Sequence, residues 1–302
     1  MYLDLINRLK DIGIGDIKEN VLMKDYTTMK IGGPADVLIE PTTIDEIKKI
    51  INIAKEMNTP LTIVGNGSNL LVRDKGIRGI VIVLKDNFSE IKIDEKIVTA
   101  QAGATLRNTS IMSFDYNLTG MEAVSGIPGT IGGAIIMNAG AYGTEMKDIV
   151  KNVLCMDRDG NILNYNNEEM NFSYRHSTAS EKDLIVLEVS FELEQGNFDE
   201  IKSSFADYDY KRASRQPLDK NSAGSTFKRP EGYFASKLID EAGLRGYTIG
   251  DAMVSEKHAG FLINIENSTC ENMLHLISDV QRIVYDKFKV KLEREVKLIG
   301  EE

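Results

Sequence analysis

Residues 126–143 hold six glycines in eighteen positions, and no other stretch restricts the fold as tightly. They read Gly126-Ile127-Pro128-Gly129-Thr130-Ile131-Gly132-Gly133, continuing to Asn138-Ala139-Gly140-Ala141-Tyr142-Gly143. Average glycine usage is ~7%, and the bulky apolar residues in between rule out a flexible linker. A backbone of this kind approaches a flat or polyanionic ligand closely and donates main-chain N–H groups without side chains in the way. A second loop, Gly65-Asn66-Gly67-Ser68-Asn69, comes after a strand-like run. A Rossmann loop must open a helix whose N-terminal N–H groups bind pyrophosphate. Here Leu70-Leu71-Val72 comes at once, a strand-like run, and no P-loop pattern occurs anywhere. Either loop alone reads as a tight turn. Together they predict a dinucleotide held between β-rich subdomains.

The remaining pattern supplies the scaffold. Thr43 and Glu46 form a capping-box signature before Ile47, Ile50, Ile51, Ala54 and Met57 at helical spacing, and Pro60 closes that helix. Residues 61–64 and 80–84 read as short buried strands, so residues 1–85 form a β-α-β unit with an extended lead-in at 26–34. Residues 86–196 are β-rich, with strands at 97–100, 150–156 and 185–191, a helix at 105–116 and a hairpin turn at 157–160. From 197 the character changes. Helices are expected at 203–215, within 232–243 (Phe234, Leu238 and Ala242 on one face, Gly243 as C-cap) and after Thr269, where Met273, Leu276, Ile277, Val280, Ile283 and Val284 form an apolar stripe. Leu292, Val296 and Leu298 alternate in a last strand, which places Glu293, Glu295 and Lys297 together on the opposite side. The expected domains are therefore 1–85 (to which the tail 293–302 returns), 86–196 and 197–292.

Charge narrows the partners. A net charge of −10 argues against nucleic acid and anionic membrane, and no apolar run reaches the ~18 residues of a membrane span. The N-terminus lacks the basic and apolar regions of a secretory signal, so a cytoplasmic protein is expected. Cys155 and Cys270 have no metal-like spacing, and with three histidines no metal site is expected. Lys211, Arg212, Arg215, Lys228 and Arg229 form the densest basic cluster. A solvated face is the plain reading of such a run, and a pocket for an anionic ligand the sharper one.

At these loops, and at Tyr174-Arg175-His176-Ser177, Gly224-Ser225-Thr226-Phe227-Lys228-Arg229-Pro230, residues 254–264 and residues 292–300, the sequence resembles the UDP-N-acetylenolpyruvoylglucosamine reductase family. The order and spacing of these short matches run nearly end to end. The compact stretch 174–190 resembles the shorter subgroup, without the substrate-capping loop of the longer enzymes. The resemblance implies an α+β fold: a vanillyl-alcohol-oxidase-like (PCMH-type) two-part FAD-binding scaffold with a separate α/β substrate-binding domain. It implies a monomer that binds FAD and NADPH and takes a UDP-sugar enolpyruvate as substrate, in peptidoglycan precursor synthesis. Hydride passes from NADPH through FAD to the vinyl carbon, and the adjacent carbon takes a proton to give UDP-N-acetylmuramate.

The same resemblance assigns roles. Arg175 faces the substrate carboxylate, where a guanidinium donates two parallel hydrogen bonds. Ser225 is the proton donor, with Lys228 and Arg229 as cations that favour its alkoxide. Glu295 is the third catalytic residue, chosen over Glu293 by the motif alone. The cofactor contacts fall on Gly65, Asn66, Gly67, Ser68, Asn69, Gly126, Ile127, Pro128, Gly129, Thr130, Gly132, Gly133, Asn138 and Gly140. Neither glycine-rich loop contains His or Cys, so the FAD is expected to be non-covalent. Arg212, Arg215 and Lys228 become the binding surface for nucleotide phosphates, and His258 lies in a motif near the substrate. Another FAD oxidase or dehydrogenase of the same fold would share the loops, but not Gly224–Pro230 or the terminal Glu motif. A non-catalytic nucleotide binder would lack Arg175, Ser225 and Glu295, and all three are present.

Overall fold

The computed structural model describes residues 2–302, which divide into two compact units built from discontinuous stretches. The first unit comprises the stretch ending at Lys18, Val37–Asn66 and Gly79–Tyr210; the second comprises Glu19–Asp36, Gly67–Arg78 and Lys211–Glu302. Among the described residues no helix is long and apolar enough to cross a membrane.

In the first unit, Leu61–Val64 pairs in parallel with residues 80–83. The helix Ile44–Glu56 joins the strand Pro34–Ile39 to Leu61–Val64. Thr43 caps it as the sequence predicts, Oγ1 accepting from Glu46 N at 3.1 Å, but the box does not close: Glu46 Oε2 accepts from Thr42 N at 2.6 Å, one residue before the cap. Ile47, Ile50, Ile51 and Ala54 are buried, as an apolar stripe of 3.6-residue period requires. The unit also holds a five-stranded antiparallel sheet, in the order Ile162–Asn166, Val150–Met156, Ile185–Glu192, Ile97–Gln101, Ile91–Asp94. One core, with Phe88 and Phe191 fully enclosed, runs through this unit. Cys155 lies inside it, and burial pushes its thiol up to about 12, so it stays a small inert hydrophobe.

In the second unit, a four-stranded antiparallel sheet runs Asn221–Ser225, Phe261–Asn264, Ala252–Val254, Thr248–Ile249. The helix Cys270–Phe288 packs on it, and the helix Ala235–Glu241 packs against that long helix. Thr269 caps the long helix through Asn272 N, and Met273, Leu276, Ile277, Val280 and Val284 are buried. The helix within 232–243 is shorter than its sequence pattern suggests. Phe234 is its N-cap residue and is 55% exposed, so Ala235, Leu238 and Ile239 form the buried face. The Phe234 ring instead lies under the Arg229 guanidinium, 4.1 Å away. A cation–π contact at the surface has replaced core packing there. Residues 203–215 are helical as expected, within a helix that begins at Phe198.

Asp74 joins the strand Leu70–Val72 to the long helix. Its two carboxylate oxygens accept from Cys270 N (2.8 Å) and Glu271 N (3.1 Å), satisfying N–H groups that the helix itself cannot. Asp74→Ala should cost about 1–2 kcal/mol in urea unfolding monitored by circular dichroism. An unchanged unfolding midpoint would show that water replaces the carboxylate without loss.

Candidate active site

The two glycine-rich segments meet in the first unit. A Cβ on Gly65 would stand 2.2 Å from Thr130 Oγ1, so a larger residue would have to displace the Thr130 side chain. Asn66 Nδ2 donates to Pro128 O at 2.6 Å, across 62 positions of sequence. The segment 126–143 also contains a helix that its composition concealed. Thr130 accepts from Gly133 N and starts the short helix Ile131–Ile136, despite Gly132 and Gly133. Local capping outweighs the poor helix propensity of two glycines.

In the second unit, the end of the first loop meets the predicted serine and glutamate. Gly67 is buried against Tyr26 and Thr27, where a Cβ would lie 2.2 Å from Tyr26 O. Asn69 O accepts from Lys297 N at 2.9 Å, and Asn69 Nδ2 lies 3.5 Å from Glu295 O. The Glu295 N–H donates to Thr226 O at 2.8 Å, beside Ser225. Behind them Lys297–Ile299 runs parallel to Leu70–Val72. Asn69 thus comes beside Glu295, 226 positions away, and Thr226 ties Glu295 to the end of the Ser225 strand. The N–H groups of Asn66, Ser68 and Asn69 donate to no protein acceptor among the described residues.

Periodicity leaves Glu293 and Glu295 equivalent, and the structure separates them. Glu293 is 72% exposed and pairs with Lys228 at 3.1 Å, whereas Glu295 is half-buried next to Thr226. The sequence showed no sign of the Lys228–Glu293 pair, because the partners lie on different segments. Ser225 is exposed at the end of its strand, opposite Phe261. Arg212 is half-buried and Arg215 exposed at the end of the helix Phe198–Arg215.

Arg175 lies in the first unit, in a two-residue loop closed by reciprocal Ser173–His176 backbone hydrogen bonds of 3.1 Å. Its φ is +57°, in the left-handed region, and its guanidinium lies 5.0 Å from the Tyr174 ring centroid. Asn138 is wholly buried, and its side-chain amide bonds within the first unit to Glu145, Ser173 and Lys147. Gly140 lies in the short hairpin after it.

His258 is half-buried in the second unit. Its Nδ1 accepts from Gly260 N at 3.2 Å, and its ring meets Phe261 edge-on at 5.0 Å. Gly260 O in turn accepts from Thr226 N at 2.9 Å, which ties His258 to the Ser225 strand. Burial, with a smaller contribution from Arg245, holds the His258 pKa below the usual histidine value. The unfolded chain therefore binds the proton more readily. Stability is fully present above the unfolded value of ~6.5 and declines as pH falls below it. Thermal melts at pH 7.5 and pH 5.5 should differ less for His258→Gln than for the natural chain; an equal difference would remove His258 from the acid sensitivity.

Two family profiles match the chain: "FAD binding domain" over residues 35–166, and "UDP-N-acetylenolpyruvoylglucosamine reductase, C-terminal domain" over residues 216–299. The chain is 49% identical over 302 residues to the UDP-N-acetylenolpyruvoylglucosamine reductase of Clostridioides difficile (strain 630), covering 100% of this chain and 98% of that one. It is 50% identical over 298 residues to the reductase of the same name from Caldanaerobacter subterraneus, covering 98% of each. The crystal structure of the Thermus caldophilus UDP-N-acetylenolpyruvylglucosamine reductase superposes with a TM-score of 0.81 at 36% identity, over 94% of this chain and 100% of that one. Alkyldihydroxyacetonephosphate synthase shares the fold over 65% of this chain and 41% of its own, with a TM-score of 0.51 at 14% identity.

Proposed function

The chain belongs to the UDP-N-acetylenolpyruvoylglucosamine reductase family and has that family's α+β FAD-binding fold, and from this premise we propose how its residues carry out the reduction. The substrate is the enolpyruvyl ether of UDP-N-acetylglucosamine, and the product is UDP-N-acetylmuramate, a peptidoglycan precursor. The observation that carries the reading is the bonding of Glu295 to Asn69 and to Thr226, the neighbour of Ser225 in sequence.

The residues present fit FAD. Among the described residues the backbone N–H groups of Asn66, Ser68 and Asn69 have no protein acceptor, which suits the oxygens of a diphosphate. Gly65, Asn66, Gly67, Ser68 and Asn69 would hold the cofactor from one loop. Gly126, Ile127, Pro128, Gly129, Thr130, Gly132 and Gly133 would do so from the other, with backbone near Asn138 and Gly140. When bound, FAD supplies the two-electron chemistry, accepting hydride from NADPH and delivering it to the vinyl carbon.

The protein's own groups then handle charge and proton. Hydride addition leaves negative charge on the adjacent carbon and its carboxylate. Arg175 faces that carboxylate with two parallel N–H donors, a geometry suited to guanidinium. The Ser225 hydroxyl gives its proton to the adjacent carbon, and Glu295 is the third catalytic residue. Arg212, Arg215 and Lys228 serve the nucleotide phosphates, Lys228 and Arg229 favour the Ser225 alkoxide, and His258 lies near the substrate. On this assignment residues 1–85 and 86–196 serve the flavin, in keeping with the 35–166 match, and 197–292 the substrate, in keeping with the 216–299 match. We place the protein in the cytoplasm as a monomer, its net charge of −10 opposing binding to nucleic acid and anionic lipid.

An anaerobic titration tests the proposal. The purified protein should absorb at about 450 nm, bleach with NADPH, and recolour on addition of the enolpyruvyl sugar nucleotide. A protein that takes up no FAD would refute it. Recolouring by oxygen but not by that substrate would favour an oxidase of the same fold.

A further inference from the structure

The Arg175 loop is anchored at both ends by the glycine-rich segment. Upstream, Asn138 Nδ2 donates to Ser173 O at 3.1 Å, at the base of the loop. Downstream, Ser177 Oγ donates to Ile136 O at 3.3 Å while capping the helix Thr178–Glu181. Asn138 is itself built in firmly. It is 0% exposed with φ +40°, its Nδ2 also donates to Glu145 Oε2 at 3.1 Å, and its Oδ1 accepts from Lys147 N at 3.0 Å. These bonds use both N–H donors of its amide, and full burial keeps its side chain from a ligand.

We propose that Asn138 is the positioning residue for Arg175: by holding Ser173 O it fixes the left-handed loop that aims the guanidinium, and so couples the cofactor segment to the substrate carboxylate. The proposal rests on Arg175 acting at that carboxylate. Arginine recognises a carboxylate through two bonds at once, so a small tilt of the loop breaks the pair, and a displacement of ~1 Å can cost on the order of 10²-fold in rate. The sequence points to a different role, because Asn138 sits in a glycine-rich segment and reads as a cofactor contact.

The test is a double-mutant cycle on the FAD-loaded protein. Asn138→Gly removes the amide without straining a positive φ, and Asn138→Asp keeps the shape but loses both donated hydrogen bonds. Melting temperature and bound flavin per chain identify whichever variant folds. The expected result is reoxidation by substrate slowed roughly 10²-fold and weaker binding of UDP-N-acetylmuramate to the oxidised protein. In an Arg175→Ala background, the same Asn138 substitution should slow reoxidation no further, because the group it positions is gone. An equal cost in both backgrounds overturns the proposal, as does loss of flavin with reoxidation unchanged in the fraction that retains it. If Arg175→Ala alone reoxidises at the natural rate, the role of Arg175 fails first. If Arg175→Ala is slow and both Asn138 variants are fast, only the positioning role fails.

Discussion

Replacing Ser225 with alanine is expected to leave flavin bleaching by NADPH at its natural rate and to slow recolouring by the enolpyruvyl substrate by about 10²- to 10⁴-fold, the usual contribution of a positioned acid. The two half-reactions separate because the proton is needed only after hydride has reached the substrate. The substitution should be quiet structurally. Ser225 is exposed, it pairs with Phe261 through backbone, and removing its hydroxyl leaves no buried group unsatisfied. A loss of activity would therefore be chemical. Stopped-flow absorbance of each half-reaction reads the outcome directly. Equal slowing of both halves would argue for disturbed cofactor binding and against a proton-donor role.

Gly76→Ala should be the most damaging small substitution in the second unit. Its φ is +83°, and a Cβ there would stand 1.8 Å from Pro34 O. The reverse approach is equally close, since a Cβ on Gly33 would lie 1.9 Å from Asp74 O. Two backbones are in contact with no side chain between them, and Gly33 N bonds to Arg73 O at 3.0 Å across the gap. Pushing them apart would also drag Asp74 from the N–H groups of Cys270 and Glu271. Backbone strain of about 1 kcal/mol and overpacking of about 1–3 kcal/mol add to the cap loss, for an expected total above about 3 kcal/mol. Gly13→Ala is the control. Its φ is +85°, yet a Cβ meets nothing within 4 Å, so it should cost only about 1 kcal/mol. Urea unfolding of the two variants compares them, and equal losses would refute the close-approach argument.

Much of this architecture is legible in the chain because its causes are local. The helix cap at Thr43, the stripe after Thr269 and the strand after Asn69 are each set by residues within a few positions of one another. The loop 65–69 could be separated from a Rossmann turn for the same reason: it leads directly into the strand Leu70–Val72, not into a helix. Phe234 shows the limit. Helical spacing placed it on the buried face, but Arg229 offered a surface partner that spacing cannot register. The helix Ile131–Ile136 was concealed because glycine content is a poor guide where Thr130 supplies a cap.

The sequence by itself determined the helices after Thr43 and Thr269, the strand after Asn69, the two glycine-rich loops and, through its motifs, the family. Only the tertiary structure decided which residues share a unit: residues 67–78 packed with the C-terminal third, Asn69 beside Glu295, Lys228 on Glu293, and Asn138 spent on the Arg175 loop. The division has a physical cause. Capping and periodicity act over three or four residues and leave their mark in the local pattern, whereas a hydrogen bond between positions 69 and 295 forms only when packing brings the two backbones together.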